Sequence, residues 1–215
     1  METILDIPLH LRREIETRMV RPFLEEFSNQ IGRDRTFATA EPAIKDLMQN
    51  LSEEKAEHLT EAINDTPLIL RREIEARIIK PFLEAFFDEI GEDRTYEIAN
   101  SVLEELARRQ GAESAVNLEK NSPETLLEHI GPHQAGGALE INPISQSEKH
   151  NRFDIVRCSY VDMYEKLGMR EMGSTLSCNR DACFFQGVNS EFKLTRTKTL
   201  MKGNDCCNFL VELEE

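Results

Sequence analysis

The chain has 215 residues, 40% of them apolar and 31% charged, the balance of an ordinary globular protein. No run approaches the ~18 apolar residues of a membrane span, and a formal net charge of −14 disfavours a nucleic-acid partner, whose phosphates call for a basic surface. The opening METILDIPLHLRREIE meets charge after a few apolar residues and lacks the core and cleavage site of a secretory leader, so a cytoplasmic location is expected.

From Asp6, DIPLHLRREIETRMVRPFLEEFSNQIGRDRTF realigns at an offset of 59 residues on DTPLILRREIEARIIKPFLEAFFDEIGEDRTY, with 20 of 32 positions identical. That is an internal duplication, too short for a solenoid. Each copy reads as two helices. In the second, Leu70, Ile74, Arg77, Ile78, Phe82 and Phe86 follow an amphipathic stripe. Gly91 fits a C-cap and Asp93 an N-cap for a following helix carrying Ile98, Val102, Leu103 and Leu106 and running to about residue 118. Pro22 and Pro81 fall at equivalent points, either kinking one long helix or separating two short ones. The LRREIE charges read as a solvated face, with Arg71 or Arg72 reaching a ligand pocket as the alternative.

Asn121-Ser122-Pro123 opens a short helix that stops at Gly131-Pro132. Residues 138–144 alternate weakly as a candidate strand, and residues 145–151 are turn-like. RFDIVRCSY then alternates as a strand. VDMYEKLGM reads as a helix ending at Gly168, and SCNRDACFFQG as another begun by Ser177 or Asn179. FKLTRTKTLM and CCNFLVEL read as strands around a Lys202-Gly203-Asn204-Asp205 turn. The expected fold class is α+β: a duplicated helix pair packed with a C-terminal antiparallel sheet and two short helices. Its expected parts are a first copy over 1–60, a second over 61–120, a connecting segment over 121–151 and an α+β region over 152–215.

Residues 151–215 carry 9 Lys/Arg against 10 Asp/Glu, so the negative excess lies in the first 150 residues and the last part suits an anionic small molecule. All five cysteines lie between 158 and 207, and an odd number without a leader reads as thiols rather than a disulfide framework.

RCSYVDMYEKLGMREMGSTLSCNRDACFFQGVNSEFKLTRTKTLMKGNDCCNF resembles the C-terminal signature of the L-2-amino-thiazoline-4-carboxylic acid hydrolases. Cys158, Tyr164 and Leu167-Gly168 match its first element. Cys178 and Asp181 match a Cys-x-x-Asp element, and Arg196, Thr197 and Thr199 an Arg-Thr-x-Thr strand. Gly203, Cys207 and Phe209 match a closing Cys-Asp-Phe. RREIEARIIKPF also resembles the family's N-terminal helix. The departures are Asn208 in place of the usual acid, extra thiols at Cys183 and Cys206, a doubled helical unit and a short middle region.

The resemblance implies hydrolytic opening of a 2-aminothiazoline ring to a carbamoyl cysteine. Such chemistry needs a nucleophile for the amidine carbon, a proton donor and a cation for the carboxylate. Cys178 at a helix start, near Arg180, suits a thiolate, and Cys158 and Cys207 are further candidates. Asp181 suits a general acid or base, and Arg196 a carboxylate clamp. Tyr164, Arg180 and Asn208 complete the expected binding set. Each cysteine can equally pack as a small apolar group, Arg196 can sit on a solvated edge, and Asp181 can cap a helix.

Three thiols drawn together would suit zinc or iron, yet no C-x-x-C pair supports a metal, and neither metal nor cofactor is expected. The histidines, at 10, 58, 129, 133 and 150, lie outside the signature. The expected partner is a small anionic cyclic substrate, with a homo-oligomer through the N-terminal helices. The competing readings are a non-catalytic ligand-binding or sensory domain and a scaffold assembled by the doubled helices.

Overall fold

The computed structural model describes residues 3–52, 57–116 and 120–214. The chain forms two compact units, Met1–Val102 and Leu103–Glu215. The first holds α1 (Leu9–Ile31), α2 (Arg33–Ile44), α3 (Met48–Ser52), α4 (Thr60–Asp65), α5 (Leu68–Ile90) and the start of α6 (Glu92–Val116). Residues 117 and 118, where the sequence places the end of that last helix, lie outside the described residues.

α1 and α5 are each 23 residues long and begin and end at equivalent points of the repeat. Each is one continuous helix through its proline, so the reading of two short helices is set aside. Each closes on a glycine with positive φ, Gly32 at 90° and Gly91 at 84°. Glycine adopts that positive-φ conformation at no steric cost. The next helix starts at once, so Asp93 lies in the first turn of α6, where its charge still favours the helix N-terminus. Thr36 and Thr95, both fully buried, donate their hydroxyls back to the Gly32 and Gly91 carbonyls at 3.0 and 2.8 Å.

α1 and α5 lie side by side. Phe23, Phe27, Phe82 and Phe86 are fully buried and pack edge-on or tilted against one another, while Leu11, Ile15, Leu70 and Ile74 share a second buried cluster. The LRREIE charges are half-buried rather than solvated. They pair along their own helices, as in Arg13–Glu16 at 2.8 Å, Arg18–Glu14 at 2.7 Å and Arg72–Glu75 at 2.6 Å. An amphipathic stripe wide enough to meet several neighbours leaves little of the helix to water.

The second unit takes the rest of α6, then α7 (Leu126–His129), α8 (Gly131–Gln134), β1 (Leu139–Gln146), β2 (His150–Cys158), α9 (Ser159–Lys166), α10 (Arg170–Leu176), α11 (Asp181–Val188), β3 (Phe192–Thr195) and β4 (Cys207–Leu213). Ser122 opens the 3-10 turn Pro123–Thr125 with a reciprocal capping box to Thr125. The chain does not stop at Gly131-Pro132: proline at the first turn of a helix suits α8, since the missing N–H has no partner there anyway.

The sheet is antiparallel in the order β1-β2-β4-β3, which makes this an α+β fold. Phe153, Phe185, Phe192, Phe209 and Val211 are at its core, with Phe153 and Phe209 stacked at 4.9 Å. Three short helices, not two, stand between the strand pairs. α10 is the additional one. Its REMGSTL carries a glycine and a β-branched residue and gives a weak helical signal. A Cβ at its Gly173 would meet Met201 Sδ at 2.6 Å, so the flexible end of that methionine packs against the glycine.

Candidate active site

Cys158 ends β2 and stands at the N-cap of α9. The backbone N–H groups of Tyr160 and Val161 are turned to its sulfur without closing a full hydrogen bond, and they favour the thiolate. Burial outweighs them and pushes the thiol up to about 11. Cys178 opens the 3-10 turn Cys178–Arg180, between α10 and α11. The helix-start argument predicts a lowered thiol here. The structure gives the reverse: burial, then the neighbouring Asp181, push it far up.

Asp181 is the first residue of α11 rather than a cap. Its side chain is 35% exposed to solvent. Its carboxyl pairs with the Arg196 guanidinium. Burial nevertheless raises its pKa against the pull of Arg196 and Arg180.

Arg196 follows the end of β3, where the chain leaves the sheet, so it is not a strand-edge residue. Besides Asp181, it donates from Nη2 to the Cys178 carbonyl at 2.8 Å, and its guanidinium lies 5.0 Å over the Phe209 ring. Its side chain is 12% exposed. Cys207 starts β4, buried, and its sulfur accepts the Leu200 N–H at 3.1 Å. Burial raises this thiol too, with Arg196 opposing.

Cys158, Cys178 with Asp181, Arg196 and Cys207 thus come from four separate stretches of chain into electrostatic reach of one another. Among the described residues, no three His, Cys, Asp or Glu side chains are grouped to hold a metal ion.

Other expected residues fall elsewhere. Arg180 is buried and donates to Gln110 Oε1 at 2.9 Å, so its hydrogen bond goes to α6 while its charge still acts on Asp181. Tyr164 is buried on α9, against Gly173. Asn208 is on the opposite face of β4 from Cys207, because successive strand residues alternate. Its Oδ1 accepts the N–H groups of Thr197 and Lys198 at 3.1 and 2.6 Å, and its Nδ2 donates to Thr197 Oγ1 at 2.9 Å. It braces the turn that carries Arg196.

Cys183 packs beside Arg108 at 3.5 Å, and Cys206 lies near Lys198 and Asp205. Sequence reasoning missed Phe209 as the platform under Arg196, the Leu200 N–H on Cys207 and Gln110 on Arg180. The Phe209 position was marked by the motif, whereas the other two had no local signal. A separate cleft of about 630 Å³ in the first unit is lined by Arg21, Leu24, Arg33, Phe37, Met48 and Leu51 among others, and shares no residue with the thiol site.

No helix of the described residues is long and apolar enough to cross a membrane. No curated protein matches the chain significantly. A solved structure described as "Probing the function of heme distortion in the H-NOX family" aligns over 93% of this chain and 95% of its own, at 8% identity and a TM-score of 0.45, a likeness too slight to carry an argument. The profile of the L-2-amino-thiazoline-4-carboxylic acid hydrolases matches residues 71–211, which span the second helical copy and all five converging residues, and the chain belongs to that family.

Proposed function

We propose that the site hydrolyses a small cyclic C–N substrate bearing a carboxylate, of the 2-aminothiazoline-4-carboxylate kind. One observation carries the reading: Cys158, Cys178, Cys207 and Asp181 come within electrostatic reach of one another beside the Arg196 guanidinium, and the charge of Arg180 also acts on Asp181. A cluster of thiols and a carboxyl beside fixed guanidinium charge favours an anion and supplies groups for proton transfer.

In this reading, Arg196 draws the carboxylate, and Asp181 donates to the ring nitrogen, sharpening the electrophilic amidine carbon. The Cys158 sulfur, backed by the α9 amides, adds to that carbon. The ring C–S bond then breaks, and the departing sulfur takes the proton that Cys158 gives up. Water attacks the enzyme-bound isothiourea carbon and gives one proton to the Cys158 sulfur and one back to Asp181, releasing the carbamoyl product and regenerating the Cys158 thiol and the Asp181 carboxyl. One water is consumed per ring.

The test is turnover of 2-aminothiazoline-4-carboxylate, followed by thiol release, in the parent chain and in Cys158→Ser, Cys178→Ser and Cys207→Ser. The expected result is turnover in the parent and a loss on the order of 10³-fold or more in Cys158→Ser with the fold intact. Unchanged turnover in Cys158→Ser would remove it as the nucleophile.

The raised thiols also favour a second reading, a domain that binds such an anion without turning it over, because little thiolate is present at neutral pH. Saturable binding with no thiol release in the parent chain would select it.

A further inference from the structure

The two helical copies meet through the same residues. Phe23 and Phe82, one repeat apart, have ring centroids 6.0 Å apart, and Phe27 and Phe86, also equivalents, 4.2 Å. The equivalents Leu11 and Leu70, and Ile15 and Ile74, share one buried cluster. α1 and α5 therefore run in the same direction with matching positions in register. Further along the chain the contacts become reciprocal. The Arg35 guanidinium of the first copy pairs with the Glu89 carboxylate of the second, and Arg94 of the second donates to the Gln30 carboxamide of the first. Arg35 and Arg94 are equivalents, as are Gln30 and Glu89. Each copy gives the other what it receives, which is the pattern of an isologous two-fold interface rather than of two unlike patches.

We propose that the α1–α5 face is a two-fold self-association surface that this chain satisfies internally. The first copy sits where α5 of a second chain would sit. When the first copy is displaced, the α5 face of Leu70, Ile74, Phe82 and Phe86 takes a second copy of this chain.

The chemistry of the face supports that partner. The named apolar contact residues are identical in the two copies, so α5 against a second α5 recreates the same packing. The polar difference, Gln30 against Glu89, favours the exchange: Arg94 of one chain would meet Glu89 of the other twice over, replacing one ion pair and one neutral contact with two ion pairs. With the face filled from within, the full chain does not oligomerise through it, and the homo-oligomer expected through the N-terminal helices is already completed in cis.

The experiment is sedimentation velocity on the full-length chain. Phe23→Asp with Phe27→Asp puts two charges in the buried face of the first copy and expels it. The expected result is a dimer absent from the parent, lost again when Phe82→Asp and Phe86→Asp are added. Placed on the Phe23→Asp/Phe27→Asp background, Arg94→Glu should weaken the dimer about tenfold or more, and Arg94→Glu with Glu89→Arg should restore it. A folded Phe23→Asp/Phe27→Asp chain that stays monomeric overturns the proposal, as does a dimer indifferent to substitutions at 82, 86 and 94.

A second full-length variant decides the matter if those chains do not fold. Here residues 6–37 are replaced by the sequence of residues 65–96, making the face symmetric. It should unfold cooperatively within a few degrees of the parent, and loss of cooperative unfolding overturns the two-fold reading.

Discussion

The Asn208 carboxamide makes three hydrogen bonds to the turn after Arg196: two backbone N–H groups on its oxygen and the Thr197 hydroxyl on its nitrogen side. An aspartate in this position could accept the same two N–H groups. Asn208→Asp should therefore leave the fold intact. Asn208→Ala should cost ~2 kcal/mol through three lost hydrogen bonds and weaken substrate capture by loosening Arg196. Urea denaturation and KM measured side by side check both, and an Asn208→Ala chain with parental KM would remove the link to Arg196. The motif marked position 208, but only the pleat of β4 reveals which way its side chain is turned.

At the scale of elements, the crossing of α6 and α11 governs where Asp181 stands. A Cβ on Gly111 would lie 2.0 Å from the Phe184 carbonyl oxygen, and one on Gly187 would lie 2.0 Å from the Arg108 carbonyl oxygen. The two backbones touch through their glycines, and backbone cannot step aside as a flexible side chain can. Gly187→Ala should cost at least ~2 kcal/mol by forcing the helices apart, and should reduce activity by moving α11 and the Asp181 at its start. Thermal unfolding of Gly187→Ala beside the parent tests this, with an unchanged midpoint as the contrary result. In the sequence Gly187 reads as the end of a helix. It lies instead inside α11, which runs on to Val188, so its requirement is close approach rather than termination.

Over the whole molecule, the raised thiols tie stability to alkaline pH. A thiol with an ordinary value near 9.0 that is held at about 11 when folded stays protonated between those values, while the unfolded chain ionises. The folded state then binds more protons, so its stability is fully present below pH 9 and is lost as pH rises towards the folded value. The slope is ~1.4 kcal/mol per pH unit per such thiol. Stability measured by denaturant between pH 9 and 11 should fall, and Cys158→Ala should flatten the fall. A parent curve that is level or rising over that range would contradict the burial assigned to these thiols.

The local content of this fold was legible without coordinates. The repeat, its amphipathic stripes and the capping glycines are short-range patterns, and the alternating runs of the C-terminal region announce an antiparallel sheet. The site's cysteines, Asp181 and Arg196 were legible only as residue types in a resembling motif. Their meeting depends on strands that pair across 50 residues of chain and more, as Ile155 does with Cys207, which no local period encodes. Protonation was the least legible property. Helix-start position and a neighbouring arginine argue for a reactive thiolate at Cys178, but desolvation outweighs both, and desolvation is decided by everything packed around the sulfur. By itself, the amino-acid order determined the duplicated helices, the α+β class and the family resemblance that singles out the candidate residues. Only tertiary packing decided which thiol faces helix amides, which arginine is held by a carboxylate and how one helical copy fills the face of the other, because burial and electrostatic reach are properties of neighbours in space.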